Sequence, residues 1–339
     1  MSDGAALVIL PNWVGDCAMA APALRALRAA RPDARWILAG AERSAPLYGR
    51  WPCDALIPIA GRGAPAILGL ARRLRGLGIR EALLLGPSFR SALMPALAGI
   101  PRRVGWGTDG RRILLTETAP APGRDVPLAR SYLRLAARLG ADPDAPLDPG
   151  LPIGADERDA AADRLRAMGV DGSRVIAFLP GATYGETKRW PVAHWAALGR
   201  MLHGAGWNLL VLGGAEECEI ADRLSLEIGE GAYSLAGRLP LRASLSVLSI
   251  VTAAVSNDSG GMHLAAAAGA AVVGIFGSTN PAWTGPLGAR SRAVTLGLAC
   301  APCYARTCPT QIECLRDLAP ARVASEVEAL LVAPAGAPR

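Results

Sequence analysis

Val255-Ser256-Asn257-Asp258-Ser259-Gly260-Gly261-Met262-His263 is the stretch on which the reading of this chain turns. The run 250–255 is short and apolar, the pattern of a buried strand. Residues 262–268 are Ala-rich and helical, with Asp258 or Ser259 as the natural N-cap and two glycines in the turn. A strand that feeds a tight glycine turn into a helix brings free backbone N–H groups and a positive dipole end to one point. That point is an anion site. His263 follows Asp258 by five residues, so it lies about one turn into the helix, near the same mouth. The same letters also describe an ordinary strand–turn–helix with a core histidine, and the remainder of the chain decides between the two.

Upstream, a strand at 175–179 runs into Pro180-Gly181-Ala182-Thr183-Tyr184-Gly185-Glu186-Thr187-Lys188-Arg189-Trp190-Pro191 and a helix over 191–205. Proline is expected at a first helical position, which sets Lys188 and Arg189 just ahead of a helix N-terminus. A Gly/Thr loop carrying two cations there suits phosphate, although Gly-x-x-x-x-Gly-Lys-[Ser/Thr] does not fit. A strand at 208–212 ends in Gly213-Gly214-Ala215-Glu216-Glu217. An acid after such a strand takes ribose hydroxyls in nucleotide-binding sheets, and helix-start electrostatics accounts for it equally. A further strand at 272–276 exits through Gly277-Ser278-Thr279-Asn280-Pro281.

The first half has the same rhythm. Strands at 7–10, 36–39, 82–85 and 103–106 alternate with helices at about 17–31, 64–77 and 89–98, which argues a parallel sheet covered on both faces. The opening strand leads into Pro11-Asn12-Trp13-Val14-Gly15-Asp16, and Gly-x-Gly-x-x-Gly is missing, so a dinucleotide is not indicated. Asp16 stands where α/β folds place chemistry, with helix N-cap as its plain alternative. Of the many arginines, Arg90, Arg102 and Arg103 lie near strand ends or loops, where an anionic substrate would meet them. Residues 116–151 turn Pro/Ala/Gly/Asp-rich and read as a linker around a helix at 126–139. Asp142-Pro143-Asp144 only superficially matches a metal–nucleotide Asp-x-Asp pattern. Two Rossmann-like domains, 1–155 and 156–339, are expected to face a central cleft.

At 339 residues, 51% hydrophobic and 19% charged, the chain is globular. A net charge of +7 points to an anionic partner, whether nucleic acid, a membrane surface or a phosphorylated substrate. The apolar run 5–10 is too short for a signal peptide, and the run 264–276 is broken by Gly269 and Gly274, so a cytoplasmic protein is expected. Cys300, Cys303, Cys308 and Cys314 cluster near the end. Without an export signal a disulfide framework is not expected. The paired C-x2-C spacing of zinc sites is absent, so thiols in a structural loop are preferred over a metal.

Four segments together resemble the ADP-heptose:lipopolysaccharide heptosyltransferases of the GT-B fold, and within that family the heptosyltransferase II branch. They are Pro11 to Asp16, Ser88-Phe89-Arg90-Ser91-Ala92-Leu93, Pro180-Gly181-Ala182 with Lys188-Arg189-Trp190-Pro191, and Asn257 to His263. The resemblance implies an inverting transfer of L-glycero-D-manno-heptose from ADP-heptose to an inner-core heptose of lipopolysaccharide, without metal or cofactor. It implies the 1–155 domain for the acceptor and the 156–339 domain for the ADP-sugar. Asp16 would be the general base. Thr183 and Lys188 would meet the diphosphate, Lys188 also steadying the leaving group, and Glu217 (or Glu219) would hold the ribose. Asp258 would contact the sugar, with Ser259, Gly260 and Gly261 at the phosphates and His263 nearby. Arg90, Arg102 and Arg103 would face the phosphorylated acceptor, at the cytoplasmic surface of the inner membrane, with no nucleic acid partner. Other readings are the same transfer to the first core heptose site or to a protein hydroxyl, a nucleotide-sugar epimerase, which would not release ADP, and a basic binding module.

Overall fold

The computed structural model describes residues 4–61, 63–170 and 172–332. The chain divides into two compact units, Met1–Pro152 and Ile153–Arg339.

The first unit runs β1 (Ala5–Ile9), α1 (Val14–Ala30), β2 (Trp36–Ala41), β3 (Ala55–Ile59), α2 (Ala64–Leu74), β4 (Ile79–Leu84), α3 (Phe89–Leu97), β5 (Arg102–Trp106), β6 (Glu117–Ala119) and α4 (Leu128–Ala136). Its sheet is parallel, in the order β3-β2-β1-β4-β5-β6. β1 is buried along its whole length, as a parallel strand covered on both faces must be. Leu70 and Leu74 of α2 and Ala92 and Met94 of α3 pack on one face of the sheet, while α4 lies along α1.

The second unit repeats the plan: α5 (Ala155–Ala167), β7 (Val175–Leu179), α6 (Val192–Gly204), β8 (Asn208–Val211), α7 (Cys218–Ile228), β9 (Ala232–Ser234), α8 (Leu241–Leu248), β10 (Ala253–Asn257), α9 (Gly260–Ala268), β11 (Ala271–Ile275), the one-turn α10 (Pro281–Thr284), β12 (Ser291–Val294), the one-turn α11 (Glu313–Arg316) and α12 (Pro320–Val332). Its parallel order is β12-β11-β10-β7-β8-β9. Val255 of β10 sits between Phe178 of β7 and Val273 of β11. Trp190, Trp195 and Phe178 anchor the core on one side of this sheet. No helix among the described residues is long and apolar enough to cross a membrane.

Several expectations are corrected. Residues 116–151 are not a linker: β6 pairs with β5, Val104 against Glu117, and α4 buries Leu128, Tyr132, Leu133 and Leu135. The crossing comes instead at Pro152–Ile153, because α5 already packs on α8 of the second unit. Asp16 is not an N-cap. α1 is capped by Trp13, and Asp16 falls in its first turn. Pro191 is the N-cap of α6 rather than its first residue.

Candidate active site

Each sheet changes direction once, between β1 and β4 and between β7 and β10. Ligands of open parallel sheets bind outside the carboxyl ends of the strands at such a switch point.

In the second unit those ends are Leu179 and Asn257. Asn257 is fully buried. Its Nδ2 donates to the Pro180 carbonyl (2.6 Å) and its Oδ1 accepts the Trp190 N–H (3.2 Å), so one amide fastens both ends of the 180–190 loop. Ser259 caps α9 in an extended conformation without a side-chain cap bond. The first-turn N–H groups of Gly260 and Gly261 are thus left uncovered by the capping side chain. Gly261 also has a packing reason, since a Cβ there would lie 2.7 Å from Leu179 Cδ2.

Asp258 follows directly. Its side chain is only 4% exposed, and Oδ2 accepts Lys188 Nζ at 2.6 Å. The same oxygen accepts the Thr279 hydroxyl. Lys188 also lies 5.0 Å from the centre of the Tyr184 ring. An ammonium has three N–H donors, so binding Asp258 leaves donors for a second anion. His263, one turn into α9, is buried. Burial pushes its imidazole down to about 4; Asp258 opposes that shift and Lys188 adds to it. The ring is therefore neutral at pH 7, and its Nδ1 has no hydrogen-bond partner among the described residues.

Beside the start of the same loop is a cavity of about 330 Å³, lined in part by Gly181, Thr183, Arg189, Glu217 and Glu219. The Glu217 carboxylate accepts the Gly214 N–H and lies against Gly181, where a Cβ would come within 2.5 Å of Oε1. Both acids left open by the sequence line this cavity. Lys188 and Asp258 are not part of its lining. Arg189, read with Lys188 as a phosphate-suited cation but not assigned to a ligand group, reaches it while Nε holds the Ala182 carbonyl (3.1 Å). Sequence reasoning gave a role to neither Asn257, the last residue of β10, nor Thr279, in the loop that follows β11.

In the first unit the switch point is flanked by Asp16 and the start of α3. Asp16 is half-buried. The turn before it is fixed from below: Cys17 Sγ donates to the Pro11 carbonyl (3.0 Å), and Arg43 donates to the Asn12 carbonyl (3.0 Å) and covers the exposed Trp13 ring. Burial pushes the Cys17 thiol up to about 12, so it stays a neutral strut. Ser88 caps α3, accepting the Ser91 N–H. Arg111 is wholly buried and braces this turn, bonding the Trp106 and Gly86 carbonyls and the Ser91 hydroxyl. Arg90, beside the cap, is half-buried and makes no ion pair among the described residues.

Arg102 and Arg103 lie elsewhere. They open β5, at the amino end of the sheet, away from the carboxyl ends where Asp16 and Arg90 stand. Arg102 pairs with Glu81 (3.0 Å) and Glu117 (3.1 Å), and Arg103 is bound to the Leu114 and Ile100 carbonyls. Both guanidiniums are held in structural contacts, so neither remains an acceptor candidate. No group of three or more His, Cys, Asp or Glu positioned for a metal occurs among the described residues.

Residues 67–312 match the model of glycosyltransferase family 9 (heptosyltransferase). The chain belongs to this family. The glycosyltransferase is 33% identical to lipopolysaccharide heptosyltransferase 2 of Salmonella typhimurium LT2, over 96% of this chain and 98% of that one. It superposes on the solved E. coli ADP-heptose lps heptosyltransferase II with a TM-score of 0.81 and 30% identity, covering 97% of this chain and 98% of the other. Both match the expected family branch and the GT-B class of two Rossmann-like domains. A UDP-GlcNAc 2-epimerase from Methanocaldococcus jannaschii shares the fold (TM-score 0.51, 97% of this chain and 93% of that one), but at 12% identity the likeness stops at the fold.

Proposed function

We propose that this glycosyltransferase moves L-glycero-D-manno-heptose from ADP-heptose to an inner-core heptose of lipopolysaccharide, with inversion, at the cytoplasmic face of the inner membrane. The observation that carries the reading is the Lys188–Asp258–Thr279 cluster beside the uncovered start of α9, next to the cavity with Thr183 and Glu217. Thr183, Lys188 and the N–H groups of Ser259, Gly260 and Gly261 take the diphosphate. Glu217 takes the ribose, with Glu219, which lines the same cavity, as the alternative. Asp258 would repel a diphosphate if it stood alone. Held by Lys188 and Thr279, it contacts the sugar as half of a neutral pair, and neutral His263 adds no charge behind it. As ADP departs, the charge it gains is met by Lys188 and the α9 dipole, fixed dipoles and charges in place before the reaction.

Inversion in one displacement needs one base on the acceptor hydroxyl, opposite the leaving group. Asp16 takes that role, and Arg90 is the cation kept for acceptor phosphate. The test is incubation with ADP-heptose and a phosphorylated heptose acceptor, following ADP release and product mass. One added heptose per ADP is expected. An altered sugar nucleotide with no ADP released would make the protein an isomerase and end this reading.

A further inference from the structure

The positive charge of this chain is concentrated. Residues 60–115 hold ten arginines against two acids, Glu81 and Asp109, so the rest of a +7 chain is close to neutral. Both acids are engaged: Glu81 holds Arg31 and Arg102, and Asp109 accepts the Phe89 N–H. α2, α3 and the short 3-10 turn Arg111–Leu114 contact one another in series and form the layer over one face of the first sheet. None of the three contains an Asp or Glu. Their inward residues fill the core, yet Leu68, Leu97 and Ile113 are 45%, 38% and 83% exposed, alongside exposed Arg72 and Arg73. Large apolar side chains set among unopposed cations fit neither a free aqueous surface nor a soluble polyanion, which would have no use for the apolar part.

We propose that the outer surface of this layer docks the enzyme on an anionic lipid bilayer, with Leu68, Leu97 and Ile113 entering the headgroup region and Arg72 and Arg73 against lipid phosphates. The proposal rests on the reading of a membrane-resident acceptor and adds where the enzyme sits on that membrane. Apolar burial and attraction to anionic lipid act together in such interfacial binding. The electrostatic part falls off within a Debye length, so it weakens with salt.

The test is sedimentation of the full chain with phosphatidylcholine vesicles, with and without phosphatidylglycerol. Binding is expected only with the anionic lipid and should fall as salt rises. Arg72→Gln and Arg73→Gln should each weaken it on the order of fivefold. The pair Leu68→Ser with Ile113→Ser should also weaken it, whereas Leu226→Ser in the second unit should not. Melting temperature, and turnover on a deacylated, water-soluble acceptor, should stay unchanged in all of them. Equal binding to neutral vesicles, or full binding by the variants, would overturn the proposal. So would a change in self-association without loss of vesicle binding, which would make the face a contact between copies. Vesicle binding as described in a protein that transfers no heptose would sink the heptosyl reading and leave the docking surface standing.

Discussion

Asp16 stands in the first turn of α1, behind a Trp13 N-cap that makes no side-chain bond. Part of its structural contribution is a charge near a helix N-terminus, about 0.3–1 kcal/mol, and Asn keeps its shape and one acceptor oxygen. Asp16→Asn therefore costs little stability, while a lost general base costs on the order of 10²–10⁴ in rate. Turnover, melting temperature and ADP-heptose affinity on the one variant separate these effects, and near-normal turnover would remove Asp16 from the chemistry. Lys188 poses a different problem, because its partner is buried. Lys188→Ala leaves the Asp258 carboxylate, 4% exposed, without its cation, and breaking a buried pair costs about 3–5 kcal/mol. The single variant should lose stability and donor binding together. Adding Asp258→Asn should restore much of the stability, since no buried charge is then left alone, but not the turnover. Urea denaturation beside ADP-heptose calorimetry measures both. If the double variant recovers activity, Lys188 has no part in the diphosphate site.

At the scale of elements, the segment that holds Cys300, Cys303, Cys308 and Cys314 lies on the Lys188 loop. Thr187 Oγ1 donates to the Ala305 carbonyl (2.5 Å), Tyr184 Oη to the Tyr304 carbonyl (2.7 Å), and the Cys308 N–H to Glu186 Oε1 (3.3 Å). Every group the segment offers in these three bonds is backbone; no thiol takes part. Replacing the four cysteines by serine should therefore leave turnover within a few-fold of the parent, whereas Thr187→Val, which removes a bond to the segment, should raise the KM for ADP-heptose. A quadruple variant that loses turnover at unchanged melting temperature, or about one metal per chain by elemental analysis, would give the thiols a role of their own. Elements with a long apolar run were legible in the sequence: β7 at 175–179 and the strand–turn–helix through Asp258 needed no structure. The edge strands β6 and β9 were not. Three residues each, Glu117–Ala119 and Ala232–Ser234, are too short to display a period. Arg102 and Arg103 were misplaced for another reason. Both open β5, and in a parallel sheet the first residues of a strand lie at the end opposite the site, so the β/α alternation already carried the information that places them away from it.

For the molecule as a whole, His263 links stability to pH. Its folded pKa of about 4 lies below the ordinary 6.5, so between those values the unfolded chain binds the proton that the folded one refuses. Its contribution is intact above about pH 6.5 and is lost as pH falls toward 4, by up to about 1.4 kcal/mol for each unit. Denaturation midpoints at pH 7 and pH 5 should converge in His263→Gln relative to the parent. An equal pH dependence in both would show that the imidazole titrates freely. The order of the strands has a further consequence, for synthesis. Every strand of the first sheet lies between Ala5 and Ala119, and the helix laid along α1 ends at Ala136. The first strand of the second sheet begins only at Val175. A ribosome thus delivers all the parts of one domain before it begins the sheet of the other, and domains generally fold as units in that order. The second domain must wait for α12. α12 covers β11 and β12, so a nascent chain stalled shortly before Pro320 would carry a finished first domain and an uncovered second core. Until α12 is made, the face of the second sheet that it closes lies open to chaperones and proteases.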